Sequence, residues 1–235
     1  MYDWAMARLD GVLRRMREIG RKTPPPDGIG CFNEVYLLTT ERISTALERG
    51  EFEVPDALAH LDEVFAGLYF TALDTWPRTP EKTPKSWAAL LEARTRRDVH
   101  PLQFALAGMN AHINRDLAHA LVATWRALEL DTERGGAAHR DFLLVNGILE
   151  QAMTDVKPKL SVGLVHEVDT ILGQLDDTLA MFSVTHARDN AWAQAEVLSA
   201  LENVNAGAAA SFAEATDRFV GFAGRALLGA HLPTP

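Results

Sequence analysis

Apolar positions recur along nearly the whole chain at spacings of three, four and seven residues. This is the period of a helix with one face turned inward. In DWAMARLDGVLRRMREIG, residues 3–20, Trp4, Leu9, Val12, Leu13 and Met16 share one stripe and the arginines take the other. KTPPPDGIG at 22–30 breaks the pattern, because proline cannot continue a helix. A second helix over 31–49 repeats Phe32, Val35, Tyr36, Ile43 and Leu47, and it ends on Gly50, a residue suited to a helix C-terminus. A third covers 54–75, with Phe65, Leu68, Tyr69 and Leu73 on its apolar side and Asp62 in the same run.

WPRTPEKTP at 76–84 reads as a proline-rich surface loop, followed by a short helix at 84–96. Pro101 opens a helix predicted to run to about 130. ERGGAAHR at 133–140 marks a turn, and RDFLLVNGILEQAMTDV is helical again as far as Pro158, with Asn146 interrupting its apolar run. A helix or pair follows at 162–174, then one long helix over 176–204 and a last one over 206–230, with HLPTP at 231–235 as a frayed tail. There is no strand alternation of useful length and no internal repeat. The pattern predicts an all-α protein: a single domain over 1–235, with eight or nine helices packed around a central buried helix at 101–130.

That central helix carries the chemistry. HPLQFALAGMNAHINRDLAHALVATW, residues 100–125, holds only two formally charged side chains, Arg115 and Asp116, beside His112, Asn114 and His119. On a helical wheel at about 100° per residue, Asp116 falls about 40° from His112, and His119 about 20° to the other side. Ala105, Gly108 and Ala123 share the stripe and leave room for a side chain, a water or a ligand. Leu106, Leu117, Leu121 and Leu128 lie opposite, with Asn110 and Asn114 among them.

Buried polar groups left unpaired cost about 1–3 kcal/mol each, so the cluster must be a network or a site. As a network, Arg115 or another arginine pairs Asp116, and the asparagines bond neighbouring backbone. As a site, His112 and Asp116 form an acid–base dyad, the carboxylate orienting the imidazole and raising its basicity. The alternative is a divalent metal such as zinc on an HxxxDxxH face of His112, Asp116 and His119, completed by a ligand from another helix.

THARDNAW at 185–192 forms a second cluster, with Met181 on the same face. Arg188 lies one turn before Trp192 and can lay its guanidinium on the indole, or reach across the bundle to Asp116 or to an anionic substrate group. His186 points elsewhere, toward Leu179 and Val197. HEVD at 166–169 is too closely spaced for one helical metal face and reads as solvated. LDDT at 175–178 lacks the last Asp of a magnesium motif. GxSxG, P-loop, GxGxxG and CxxC motifs do not occur.

The 235 residues and 47% hydrophobic content suit one globular domain with a sizeable core. A net charge of −9 opposes a phosphate backbone, so nucleic acid is not an expected partner. The basic RTRRD at 94–98 reads as a solvated helix end. The lone Cys31 cannot make an internal disulfide and reads as a small buried residue. With no secretion signal and no apolar run long enough to span a membrane, the expected location is a bacterial-type cytoplasm, without membrane contact.

LAGMNAHINRDLAHAL, the later FSVTHARDNAW and the earlier LDEVFAGLYFTALD together resemble an actinobacterial family known only as a domain of unknown function. Its members look like GMNAHINxDL followed much later by ARxxAW, and the likeness covers roughly residues 5–200. It implies that His112, Asn114, Asp116, Arg188 and Trp192 are the site positions. It leaves His119 out, and it brings no reaction. More distantly, HxxxD in an all-α chain of this size is similar to the zinc phospholipase C and single-strand nuclease group. Those enzymes need several His/Asp pairs and an N-terminal Trp ligand, whereas this chain opens MYDW and has one clear HxxxD.

The expectation is a small-molecule enzyme with an interhelical pocket for an apolar substrate and no required cofactor. His112 acts as acid or base, Asp116 orients it and Arg188 fixes an anionic or carbonyl group. Asn110, Asn114, Tyr69 and Trp192 contact substrate. The chemistry is non-redox (cyclisation, isomerisation, elimination or hydrolysis), of the kind used in secondary-metabolite biosynthesis. The rival readings are a metal-dependent hydrolase and a non-catalytic binding or scaffold bundle.

Overall fold

The computed structural model describes residues 2–160 and 184–229. The helix period of the sequence is realised in α1 (Tyr2–Lys22), α2 (Gly28–Glu48), α3 (Pro55–Thr75), α4 (Lys85–Ala93), α5 (Pro101–Ala111), α6 (Leu117–Ala127), α7 (Ala137–Leu160), α8 (Val184–Val204) and α9 (Ala206–Gly229). No strand occurs among the described residues. The fold is an all-α bundle. The expectations for 162–174, for HEVD, for the start of the long helix with Leu179 and Met181, and for the tail at 231–235 lie outside the described residues.

Several boundaries shift for local reasons. α2 begins three residues before the expected 31, because the Asp27 side chain accepts a hydrogen bond from the Ile29 N–H at 2.9 Å and caps it. Arg94 holds that cap, donating to Asp27 Oδ2 from Nε at 3.0 Å and from its terminal nitrogen at 2.6 Å. One arginine of the basic patch is therefore a clamp, while Arg96 pairs with Asp98 at the surface. Gly50, with φ of 70°, ends α2 in the left-handed region. The proline-rich loop contains one 3₁₀ turn, Pro80–Lys82.

The rod α5–α6 passes through the middle of the bundle. Every residue from Gln103 to Ala111 is buried. α5 packs on α2, α4 and α9, and α6 on α3 and α8. A helix apolar on all sides demands such a place. The room expected above Gly108 is filled: a Cβ there would stand 2.4 Å from Phe32 Cγ, so the missing side chain admits the Phe32 ring rather than a ligand.

Two helices receive their caps from far along the chain. Asp141 of α7 accepts from the Glu53 and Val54 N–H groups at 2.9 and 2.7 Å, at the start of α3. Asp217 of α9 accepts from the Lys85 and Ser86 N–H groups at 2.7 and 3.1 Å, at the start of α4. No helix among the described residues is long and apolar enough to cross a membrane.

Candidate functional site

The central rod is not a uniform helix. Residues His112–Asp116 form a π turn between α5 and α6, in which the Leu117 N–H reaches back five residues to the His112 carbonyl. The extra residue per turn shifts the register beyond that point, and such turns concentrate at functional sites. A uniform wheel drawn from His112 therefore misplaces His119. Among the described residues no group of three or more His, Cys, Asp or Glu side chains is placed to hold a metal ion. The HxxxDxxH triad is not assembled.

The π turn does bring His112 and Asp116 together. Asp116 is fully buried and saturated. Its Oδ2 accepts from Trp87 Nε1 at 2.7 Å and lies 3.2 Å from His112 Nδ1, while Oδ1 accepts from Arg115 at 2.6 Å. Burial pushes the Asp116 carboxyl up, but the His112 hydrogen bond and the Arg115 charge outweigh it and hold the group below the ordinary carboxylate range. An ionised carboxylate has no hydrogen to give, so Nδ1 carries it and the lone pair is left on Nε2. Burial holds His112 below its usual value against the opposing pull of Asp116, which keeps the ring neutral near pH 7. The ring is stacked on Phe65, centroids 3.5 Å apart and 7° from parallel.

His112 Nε2 is buried and has no hydrogen-bond partner. The residue lines a cavity of ≈70 Å³ formed largely by apolar side chains, among them Val35, Ile43, Leu61 and Ile113. Tyr36, Asp62 and Arg188 line the same cavity. The Tyr36 hydroxyl and Asp62 Oδ2 are likewise buried without partners. Burial pushes the Asp62 carboxyl up to about 7. Burial first, then the Asp62 and Asp116 charges, push the Tyr36 phenol well above its ordinary range.

A model of one protein family matches residues 9–230 of this sequence. The chain belongs to DUF5995, a family of unknown function. No curated protein and no solved structure matches it.

In this DUF5995 chain the other expected site residues divide into four groups. Arg188 reaches the cavity but neither Asp116 nor the indole. Its Nε donates to Asn146 Oδ1 at 2.6 Å, its terminal nitrogen donates to the Phe142 carbonyl at 2.7 Å, and the guanidinium lies 4.1 Å over the Phe142 ring. Burial lowers its pKa to about 9, so it stays charged at neutral pH.

Tyr69 and Trp192 stand behind the cavity and do not line it. Tyr69 stacks on Trp87 with centroids 5.1 Å apart, and its hydroxyl donates to Asn33 at 3.4 Å. Trp192 packs on Trp125 and Phe142 and donates to Glu196 at 3.1 Å. Asn110 and Asn114 face a separate groove between α8 and α9. There Asn114 donates to Asn110 at 3.1 Å, and Asn110 donates to the Val220 carbonyl at 2.9 Å. His119 is half-buried beside Arg115, and burial followed by that charge lowers its pKa.

Tyr36 and Asp62 are the residues that the sequence reading did not assign to the site. The available signal was an acid and a phenol at apolar helical positions. Their relevance emerges only when α2 and α3 close around the π turn.

Proposed function

We propose that this protein is a small-molecule enzyme that performs non-redox acid–base chemistry in the cavity beside His112. The single observation that carries the reading is the division of labour on one buried ring: Nδ1 is tied to a saturated, ionised Asp116, and Nε2 is free of partners on an apolar cavity. A ring held this way is a neutral base with one lone pair directed by its neighbour. His112 takes a proton from the substrate and, as imidazolium, returns it. Asp116 is a positioning residue, because it acts on substrate only through His112. A purely structural network has its donors and acceptors filled. Here three buried groups on one cavity, His112, Tyr36 and Asp62, keep an unpaired atom.

The test is incubation with a small-metabolite extract, followed by chromatography that separates isomers and mass spectrometry. Wild type should convert at least one species, and His112→Gln, with unchanged helicity and melting, should convert none. Conversion retained by the variant, or none by wild type, overturns the reading.

A further inference from the structure

Three unpaired polar atoms on one small apolar cavity constrain what can enter it. His112 Nε2 offers a lone pair. The Tyr36 hydroxyl offers a hydrogen. Asp62 offers either, according to its charge, and all three side chains are at least nine-tenths buried. An apolar site that keeps a carboxyl group protonated turns it into a hydrogen-bond donor. Two neutral donors and one neutral base on one cavity match a substrate that has an acceptor oxygen beside an acidic C–H.

We propose that the cavity takes a small apolar carbonyl compound, its oxygen held by the Tyr36 O–H and the Asp62 carboxylic O–H, with the α-carbon presented to His112. This rests on the reading of His112 as the base and names the substrate class of that site. The step balances without any further reagent. His112 Nε2 takes the α-proton, the C–H electron pair becomes the C=C bond of an enolate, and the carbonyl π pair moves onto oxygen. Tyr36 and Asp62 then hold a full oxyanion where they held a partial charge, so their bonds strengthen as the barrier is climbed. The imidazolium returns the proton to the α-carbon, or to the γ-carbon of an unsaturated chain, which isomerises the substrate.

Two further observations fit. Arg188 stands on the same cavity wall with its charge retained, and a positive charge favours an enolate over a ketone. The ≈70 Å³ hollow is about half the size of a cavity that holds a benzene ring, so it accepts the carbonyl end of a molecule rather than a large polycycle.

Carbonyl-labelled [2-¹³C]acetone at millimolar concentration serves as the probe, with two independent readouts. Infrared spectroscopy reports the hydrogen bonds to its oxygen, and NMR in D₂O reports exchange of its α-protons. Wild type should show a carbonyl band shifted to lower frequency and exchange faster than buffer containing free imidazole. His112→Gln should keep the band and lose the exchange. The pair Tyr36→Phe with Asp62→Leu, folded by circular dichroism, should lose the band and slow exchange at least tenfold. Asp62→Asn, which retains a donor, should restore part of the shift.

Absence of a shifted band in wild type overturns the carbonyl site. So does a band that survives loss of both Tyr36 and Asp62. A band that behaves as expected while His112→Gln leaves exchange unchanged supports the carbonyl site and overturns the base.

Discussion

The Trp87 indole N–H donates to Asp116 Oδ2 at 2.7 Å, across the packing of α4 against the central rod. This bond binds the short fourth helix to the carboxylate that orients His112. It also explains a tryptophan with no exposed surface whose polar atom is nonetheless satisfied.

Trp87→Phe removes the donor and leaves a small void. A hydrogen bond to a charged group contributes about 1.5–3 kcal/mol, so with the lost packing the expected destabilisation is about 2–4 kcal/mol. Asp116, short of one donor, attracts the His112 proton more strongly, so the His112 pKa should rise. Denaturant titration and NMR titration of the imidazole check the two effects. Tyr69→Phe is the control: it keeps the ring stacked on Trp87 and loses only a 3.4 Å bond, for about 1 kcal/mol or less.

Asp217 lies outside the cavity, at the start of α4, the helix whose Trp87 binds Asp116. It accepts from the first two N–H groups of that helix, and Ser86 Oγ donates to it at 2.8 Å. Asp217→Ala should cost about 1–2 kcal/mol, as for loss of an N-cap. Hydrogen exchange of the α4 amides should accelerate together with that of the π turn. Faster exchange in α4 alone would separate the two elements.

These distant caps show where the sequence stops being legible. The helices were readable because apolar spacing is a local property, and the contact between His112 and Asp116 was readable because the two are four residues apart. Asp141 and Asp217 were not, since their partners lie 87 and 131 residues away and nothing near either residue marks the pairing. The π turn was hidden as well: HINRD has no signature distinct from an ordinary turn, and a uniform wheel carried His119 onto a face it does not share. Asp62 was visible as an acid in an apolar run. Its role depends on a cavity to which α2, α3, α7, α8 and the π turn all contribute.

Gly108 tests how tightly the rod is held against α2. An added methyl group would meet the Phe32 side chain at 2.4–2.6 Å. Phe32 packs edge-on to both Trp87 and His112, with centroids at 5.4 and 5.7 Å, so it cannot yield without moving the site. Gly108→Ala should destabilise by about 1–3 kcal/mol despite its better helix propensity. Thermal melting measures this, and an equal or raised melting temperature would mean that Phe32 has room to turn.

The protonated Asp62 that holds the carbonyl leaves a mark on stability. Its pKa is about 7 in the folded chain against an ordinary value of 3.8, and burial is the cause. Between those values the unfolded chain is ionised while the folded chain keeps the proton. The folded state therefore binds more protons, and stability falls as pH rises from about 4 to about 7. At 1.36 kcal/mol per pH unit the loss approaches about 4 kcal/mol, and it is complete above the folded value. His112 acts in the opposite sense: held below 6.5 in the fold, it adds stability that is lost as pH falls beneath 6.5. Comparing wild type with Asp62→Asn isolates the carboxyl group. The difference should be small near pH 4 and grow toward pH 7, with the variant the more stable at pH 8. Unfolding curves at each pH provide the measurement, and parallel profiles would mean that Asp62 carries no proton through this window and cannot donate to a substrate oxygen.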